Sequence, residues 1–159
     1  MKATTTAALA AMVLAATCPG SAVAAPTDAS DGPIAAAAAP VTAAAVTAAL
    51  SKVGASYASG AAGPNAFDCS GLTMWALSRA DIAAPHSSYA QYAMGTAVPR
   101  SEIRRGDLVF FDSFGAGASH VGIATSPTTA VSATNHGVMT HPIFDTYWGG
   151  HYVGARRLG

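Results

Sequence analysis

The segment Asp68–Leu72, with the sequence Asp-Cys-Ser-Gly-Leu, constrains the fold of this chain more than any other feature. It precedes a stretch in which apolar residues such as Trp75 follow a helical period, and this pattern predicts a helix from Ser70 to Ala80. Cys69 would then lie at the first turn, where free backbone N–H groups and the helix dipole lower the pKa of a cysteine. A nucleophilic cysteine and a small buried core residue explain this segment equally well.

A histidine further along the chain offers a chemical partner for this thiol. Gly106–Phe111 is typical of a turn that enters a buried strand, and Ser119–Ala124 is typical of a second strand, which carries His120. Cysteine hydrolases pair these two side chains because an imidazole can take the thiol proton and later protonate the leaving amine. Taken alone, His120 is better explained as a hydrogen-bonded structural histidine, since spacing in sequence does not establish contact.

Several motifs, taken together and in order, resemble one known family of enzymes. The motifs are Tyr57; Phe67–Leu72; Pro85, Ser88 and Gln91; Gly106–Phe111; Ser119–Ile123; Tyr147–Trp148; and Tyr152–Leu158. They extend over residues 41–159, so the match is far more specific than a single short motif. In these respects the chain resembles the NlpC/P60 cell-wall peptidases.

This resemblance implies a fold class and an activity. The family has a papain-like α+β fold, in which N-terminal helices pack on a small antiparallel sheet. Its members cleave peptidoglycan stem peptides, typically between D-γ-glutamate and the diamino acid. The catalytic cysteine and histidine of the family correspond to Cys69 and His120, and the reaction requires no cofactor.

The resemblance also implies which residues bind the substrate. Three family positions hold the free amino end and the D-glutamate of the stem peptide, and they correspond to Tyr57, Asp68 and Ser70. Two further positions line the substrate groove and correspond to His86 and Ser88. Structural interpretations stay open beside these: a half-buried packing role for Tyr57, an N-cap for Asp68 and a surface helix cap for His86.

The third catalytic position of the family, a polar residue that orients the histidine ring, corresponds to Ser132, where relatives usually carry a histidine. The sequence predicts a hairpin that turns near residues 126–129, followed by a strand from Ala130 to His136 that runs back beside His120. Ser132 and His136 share a face of this strand and lie about 13 Å apart at about 3.3 Å per residue. The family spacing favours Ser132 as the orienting residue, and His136 is the alternative.

The N-terminal residues 1–24 have the pattern of a signal peptide, with Lys2, an apolar run and small residues before the expected cleavage after Ala24. Cleavage there would remove Cys18 and leave Cys69 as the single cysteine of a secreted protein, extracellular or associated with the cell wall. A lipid-modified Cys18 is the alternative. The sequence therefore predicts export.

Composition defines the remaining organisation. Residues 25–40 are rich in alanine and proline and are expected to form a linker. The catalytic domain is expected at residues 41–159, beginning with a helix from Val41 to Lys52. About 120 residues suffice for one compact core but not for two.

The charge balance and the motifs exclude several classes of protein. Eight basic residues balance eight acidic ones, and only 10% of residues are charged, which argues against a nucleic-acid partner. The sequence lacks a Walker A loop and a His-Glu-x-x-His motif. The absence of paired cysteines argues against a zinc site at the remaining four histidines, which are His86, His136, His141 and His151. We expect a monomer without metal that acts on peptidoglycan stem peptides.

Two other functions remain compatible with the sequence. One is an amidase of related fold that cuts between muramic acid and L-alanine. The other is a wall-binding module with weak catalysis, in which the short Ser132 side chain fails to orient His120.

Overall fold

The computed structural model describes the backbone of residues 35–159 and the side chains from residue 43 onward. The predicted signal peptide and residues 25–34 of the predicted linker lie outside the described residues. Within the described part of the chain, no helix has the length and apolar character needed to cross a membrane.

The described residues form four α-helices, one 3-10 turn and eight strands. In chain order they are α1 (Ala35–Leu50), β1 (Ser56–Tyr57), β2 (Ala66–Phe67), α2 (Cys69–Ser78), α3 (Ser88–Tyr92), β3 (Thr96–Val98), a 3-10 turn (Arg100–Glu102), β4 (Leu108–Phe111), β5 (His120–Ala124), β6 (Thr129–Thr134), β7 (Gly137–Pro142), α4 (Thr146–Gly150) and β8 (Tyr152–Arg157). The predicted α+β class is confirmed.

Six of these strands form one antiparallel sheet in the order β3-β8-β4-β5-β6-β7. The central strands β4 and β5 are buried along their whole length because side chains cover both faces of the sheet. This is why β4 has a continuous apolar run rather than an alternating one. Strands β1 and β2 form a separate, short parallel pair.

The core lies on both faces of the six-stranded sheet. On one face α1 and α2 pack together over the sheet, and this cluster includes Val46, Leu72, Phe110, Val121 and Ile123. On the other face a smaller cluster includes Val109, Phe111, Ala124 and Ile143, with Trp148 of α4 packed against it. The packing holds the start of α2 against β5, so two elements distant in sequence meet there.

The element boundaries differ from the sequence prediction in three places. The first helix is Ala35–Leu50 rather than Val41–Lys52, so it begins inside the predicted linker. The second is Cys69–Ser78 rather than Ser70–Ala80. The strand predicted from Ala130 to His136 ends at Thr134, because the chain turns and Gly137, with a φ of 93°, starts β7.

Candidate active site

Helix α2 begins at a well-formed cap. Asp68 has an extended backbone, and its Oδ1 accepts a hydrogen bond from the backbone N–H of Gly71 at 2.6 Å, so the predicted N-cap is confirmed. Its Oδ2 accepts a second hydrogen bond from the N–H of Gly60 at 2.8 Å. Burial alone would raise the pKa of Asp68, but the hydrogen bonds from Gly71, His86 and Gly60 together lower it. The carboxylate is therefore stabilised as the anion.

Glycine at position 71 allows the entry loop to approach α2 closely. A Cβ atom at Gly71 would lie 2.1 Å from the backbone oxygen of Ala61. That oxygen accepts a hydrogen bond from the N–H of Asp68 at 2.8 Å. The loop therefore packs directly against the start of the helix that carries Cys69.

The sulfur of Cys69 lies among backbone N–H groups. Hydrogen bonding from the backbone N–H groups of Val121, Ser70 and Cys69 itself lowers the pKa of the thiol and so favours the thiolate. Burial nevertheless raises the pKa of the Cys69 thiol above its ordinary value, and the nearby charge of Asp68 raises it further. The lowered pKa expected from the helix N-terminus is therefore wrong, because desolvation of the sulfur outweighs the stabilising N–H groups.

His120 lies at the first position of β5, paired with Phe111, and is completely buried. Its Nε2 lies 3.1 Å from the hydroxyl oxygen of Ser132. Its Nδ1, on the other side of the ring, is buried and has no hydrogen-bond partner among the described residues. Burial and then the neighbouring His141 lower the pKa of His120 to about 3, so the ring is neutral near pH 7.

Of the two residues considered for orienting this ring, the structure places Ser132 in contact with it. His136 lies in the turn between β6 and β7, where its side chain makes no hydrogen bond to any described residue. A cavity of about 480 Å³ has His136 in its wall, together with Phe114 and Trp148. Both aromatic rings also contact the ring of His120, so this cavity adjoins the site.

A third polar side chain, which the sequence analysis weighed only as a metal ligand, completes this group. Nε2 of His141 lies 2.8 Å from the hydroxyl oxygen of Ser132, and Nδ1 of His141 lies 2.8 Å from the carbonyl oxygen of Pro142. Burial lowers the pKa of His141 as well. The strand after Gly137 was absent from the sequence prediction, and its alternation would have placed His141 on the face of the sheet that bears Met139.

Aromatic side chains shield both imidazoles. Trp148 stacks on His141 with ring centroids 3.8 Å apart and on His120 with centroids 5.4 Å apart. Phe111 contacts both rings edge-on or tilted from within the sheet. This apolar cover is the physical reason for the low basicity of the two histidines.

Four of the five predicted substrate-binding residues lie around the start of α2. Nε2 of His86 donates to the Asp68 carboxylate, 2.9 Å from each oxygen, and the hydroxyl of Ser70 donates to Oδ1 at 3.2 Å. Tyr57 pairs with Phe67 across the short sheet. Burial raises the pKa of Tyr57, and the charges of Cys69 and Asp68 raise it further.

The fifth residue of this set, Ser88, is buried in the first turn of α3 and makes no side-chain hydrogen bond to Asp68 or to another described residue. Gln91 on the same helix ties α3 to α2, because its amide donates to the carbonyl of Ser70 at 3.0 Å. The amide of Gln91 also donates to the carbonyl of Pro85 at 2.8 Å. The motif residues of α3 thus position the loop that carries His86.

No three His, Cys, Asp or Glu side chains among the described residues are grouped so that they could hold a metal ion. The groups that the site offers are a thiol, a neutral imidazole with one free nitrogen, and backbone N–H donors. This combination suits nucleophilic attack on a carbonyl.

Solved structures share this fold. A protein of the NLP/P60 family from Staphylococcus aureus, described as similar to lipoprotein, superimposes with a TM-score of 0.68 and 31% identity over 74% of this chain and 41% of its own. The P60 domain of an antigen of Mycobacterium avium paratuberculosis superimposes with a TM-score of 0.66 and 25% identity over 80% of this chain and 100% of its own.

Curated relatives have matching sequences. The probable endopeptidase p60 of Listeria monocytogenes is 41% identical over 110 residues, which are 69% of this chain and 22% of that protein. A probable endopeptidase of Corynebacterium glutamicum is 50% identical over 88 residues, which are 55% of this chain and 41% of that protein. The chain thus spans less than half the length of these relatives. The model of the NlpC/P60 family matches residues 54–157, and together with the shared fold this shows that the chain belongs to the NlpC/P60 family.

Proposed function

We propose that this protein is a secreted cysteine peptidase that hydrolyses peptidoglycan stem peptides at the bond between D-γ-glutamate and the diamino acid. One observation carries the proposal: the Ser132 hydroxyl lies 3.1 Å from Nε2 of His120, while Nδ1 of the same ring is buried without a hydrogen-bond partner among the described residues. Hydrogen bonding from the backbone of Val121, the residue after His120, lowers the pKa of the Cys69 thiol, which supports placing the thiol beside this ring. The names of the curated relatives, probable endopeptidases, support the reaction type.

The first half of the reaction forms an acyl-enzyme. Because burial raises the pKa of the thiol and lowers that of His120, the resting pair is a neutral thiol and a neutral imidazole. The proton moves from sulfur to Nδ1 of His120 as the sulfur attacks the γ-glutamyl carbonyl. Backbone N–H groups at the start of α2, including that of Cys69, stabilise the developing oxyanion.

The second half returns the enzyme to its starting state. The imidazolium of His120 donates its new proton to the amine of the diamino acid, which leaves as the C–N bond breaks. The neutral ring then takes a proton from a water molecule, whose oxygen attacks the thioester. Collapse of that intermediate releases the glutamyl carboxylate and returns the proton to the sulfur of Cys69.

Substrate binding centres on the Asp68 carboxylate. Tyr57, Ser70 and His86 surround it, and a free amino end of a stem peptide would complement its charge. The N–H groups of Gly71 and Gly60 occupy fixed positions, whereas the side chain of His86 is 30% exposed. In this proposal, the ammonium group enters by displacing His86.

Digestion of purified muropeptides with product identification by mass spectrometry tests the proposal. Wild-type protein should release fragments ending in D-glutamate, whereas Cys69→Ala and Cys69→Ser should release none and keep the wild-type melting temperature. Ser78→Ala, at the exposed end of the same helix, is the matched control and should cut normally. Cleavage by fully alkylated protein would refute the cysteine mechanism.

The same digestion separates the two rival functions. Free L-alanine termini and intact lactyl groups on the sugar would identify an amidase. Binding to cell walls without any released product would identify a binding module.

Export is tested on protein recovered from the culture medium. N-terminal sequencing should begin near Ala25. A lipid-modified Cys18 at the N-terminus would contradict the proposed cleavage site.

A further inference from the structure

The hydroxyl of Ser132 lies between two imidazole rings, and it can donate its single proton to only one of them. Its oxygen is 3.1 Å from Nε2 of His120 and 2.8 Å from Nε2 of His141. In the β6–β7 pairing Ala130 faces His141, so Ser132 and His141 are diagonal neighbours on one face of the sheet. The direction of the two hydrogen bonds decides which nitrogen of His120 carries a proton.

The carbonyl of Pro142 settles that direction. A carbonyl oxygen only accepts, so Nδ1 of His141, at 2.8 Å from it, carries the proton. A neutral imidazole has one N–H, and Nε2 of His141 is therefore an acceptor. The hydroxyl of Ser132 must donate to this nitrogen, which leaves its oxygen lone pairs to accept from the N–H at Nε2 of His120.

We propose that His141 is a positioning residue, which acts through Ser132 to keep the proton of His120 on Nε2 and to leave Nδ1 free to receive the thiol proton of Cys69. This inference rests on the proposed function and deepens it. It answers the difficulty that serine is a short and weak orienting residue, because His141 and Pro142 fix the direction of its hydroxyl.

The surroundings of His141 keep it in the neutral form that this arrangement needs. Burial lowers its pKa, and this outweighs the carbonyl of Pro142 and the carboxylate of Asp145, which both act in the opposite direction. Trp148 stacks on His141 and on His120 and covers the hydrogen bonds from solvent. In a site shielded in this way, a fixed hydrogen-bond direction has more effect than in water.

Loss of His141 should allow the hydroxyl of Ser132 to rotate. It could then donate to Nε2 of His120, which would move the ring proton to Nδ1. That tautomer has no acceptor for the thiol proton, so attack by Cys69 would be slowed while substrate binding around Asp68 would be unchanged.

Nitrogen NMR of the free enzyme with labelled histidines tests the tautomer directly. In the wild type His120 should be neutral, with its proton on Nε2. A proton on Nδ1 in the wild type would overturn the proposal. In His141→Asn, whose amide reaches the position of Nδ1 but not of Nε2, the Nδ1–H tautomer of His120 should become populated. In His141→Gln, whose side-chain oxygen reaches the position of Nε2, the Nε2–H tautomer should persist.

Kinetics provides the second measurement. His141→Asn should lower kcat about tenfold or more with KM within about twofold, since the free base is lost and the binding residues are untouched. His141→Gln should recover most of kcat. Thr140→Asn introduces the same residue on the exposed face of the same strand and should behave as wild type.

A double variant shows whether His141 acts through Ser132. Ser132→Ala with His141→Asn should be no slower than the slower single variant, because both remove the same hydrogen-bonded chain. The proposal would be overturned if the fold-decrease in kcat of the double variant equalled the product of the two single fold-decreases. A wild-type kcat in His141→Asn would also overturn it. The two proposals can fail separately. The tautomer of His120 is measured by NMR without substrate and tests only the role of His141, whereas hydrolysis of muropeptides by Cys69→Ala would refute the proposed function.

Discussion

Replacement of Gly71 by alanine should destabilise this protein, although the same change inside a helix ordinarily stabilises by about 0.5–1 kcal/mol. The new Cβ would lie 2.1 Å from the backbone oxygen of Ala61 and 3.0 Å from Oδ1 of Asp68. Both neighbours are held in place, one by the N–H of Asp68 and the other by the N–H of Gly71. The clash therefore cannot be relieved by rotating a flexible side chain.

The size of the effect follows from what must move. Displacing Ala61 breaks its hydrogen bond to Asp68, which costs about 1 kcal/mol. Weakening the Asp68 cap costs about 1 kcal/mol more, and overpacking adds about 1–3 kcal/mol. After the gain in helix propensity is subtracted, the free energy of unfolding should fall by about 2–4 kcal/mol, and Tm by roughly 10 °C.

Urea and thermal unfolding measure this loss, and the rate of Cys69 alkylation reports the local change at the site. Gly150→Ala is the control, because no atom lies within 4 Å of the new Cβ. It should change the free energy of unfolding by less than about 0.5 kcal/mol. A Gly71→Ala variant that is as stable as wild type, with an unchanged alkylation rate, would refute the close-approach argument.

Three further predictions concern the sheet and its buried polar groups. Burial lowers the pKa of His120 to about 3 in the native state, whereas its value in the unfolded state is near 6.5. Below pH 6.5 the unfolded state therefore binds a proton at His120 that the native state does not bind, and the free energy of unfolding should fall as the pH drops. Between pH 6.5 and 5 the free energy of unfolding should fall by about 2 kcal/mol because of this residue, and His141, whose pKa is also lowered, should add to the loss. Urea unfolding at several pH values should show that the free energy of unfolding depends less steeply on pH in His120→Asn than in the wild type. Asp107→Ala should cost about 3–5 kcal/mol, because the buried carboxylate accepts two hydrogen bonds from Arg157 at 2.8 and 2.9 Å, and an unchanged urea midpoint would contradict this. Gly122→Ala places a Cβ 2.9 Å from the carbonyl oxygen of Val131 and 3.1 Å from Cβ of Ser132, so it should separate β5 from β6 and slow hydrolysis as well as lower Tm; normal kcat in this variant would be the opposing result.

Much of the candidate site could be predicted from local sequence because the relevant forces are local. An Asp before a helical apolar period predicts an N-cap, and Asp68 caps α2 through Gly71. The buried strands that carry Phe111 and His120 have continuous apolar runs, which indicate a sheet covered on both faces. The order of the motifs was sufficient to predict the family, which the family match shows.

The tertiary structure decided the electrostatics and the partners of the histidine. The sign of the Cys69 pKa shift depends on how much of the sulfur is removed from water, which a helix start alone does not reveal. The contact between Ser132 and His141 depends on the register of β6 and β7. The sequence prediction extended the strand to His136, two residues beyond its observed end at Thr134, so it did not place His141 on a paired strand. Local patterns in the sequence determined where α2, its thiol and the buried strands β4 and β5 would form. Only the packing of strands distant in sequence could determine which buried polar groups meet.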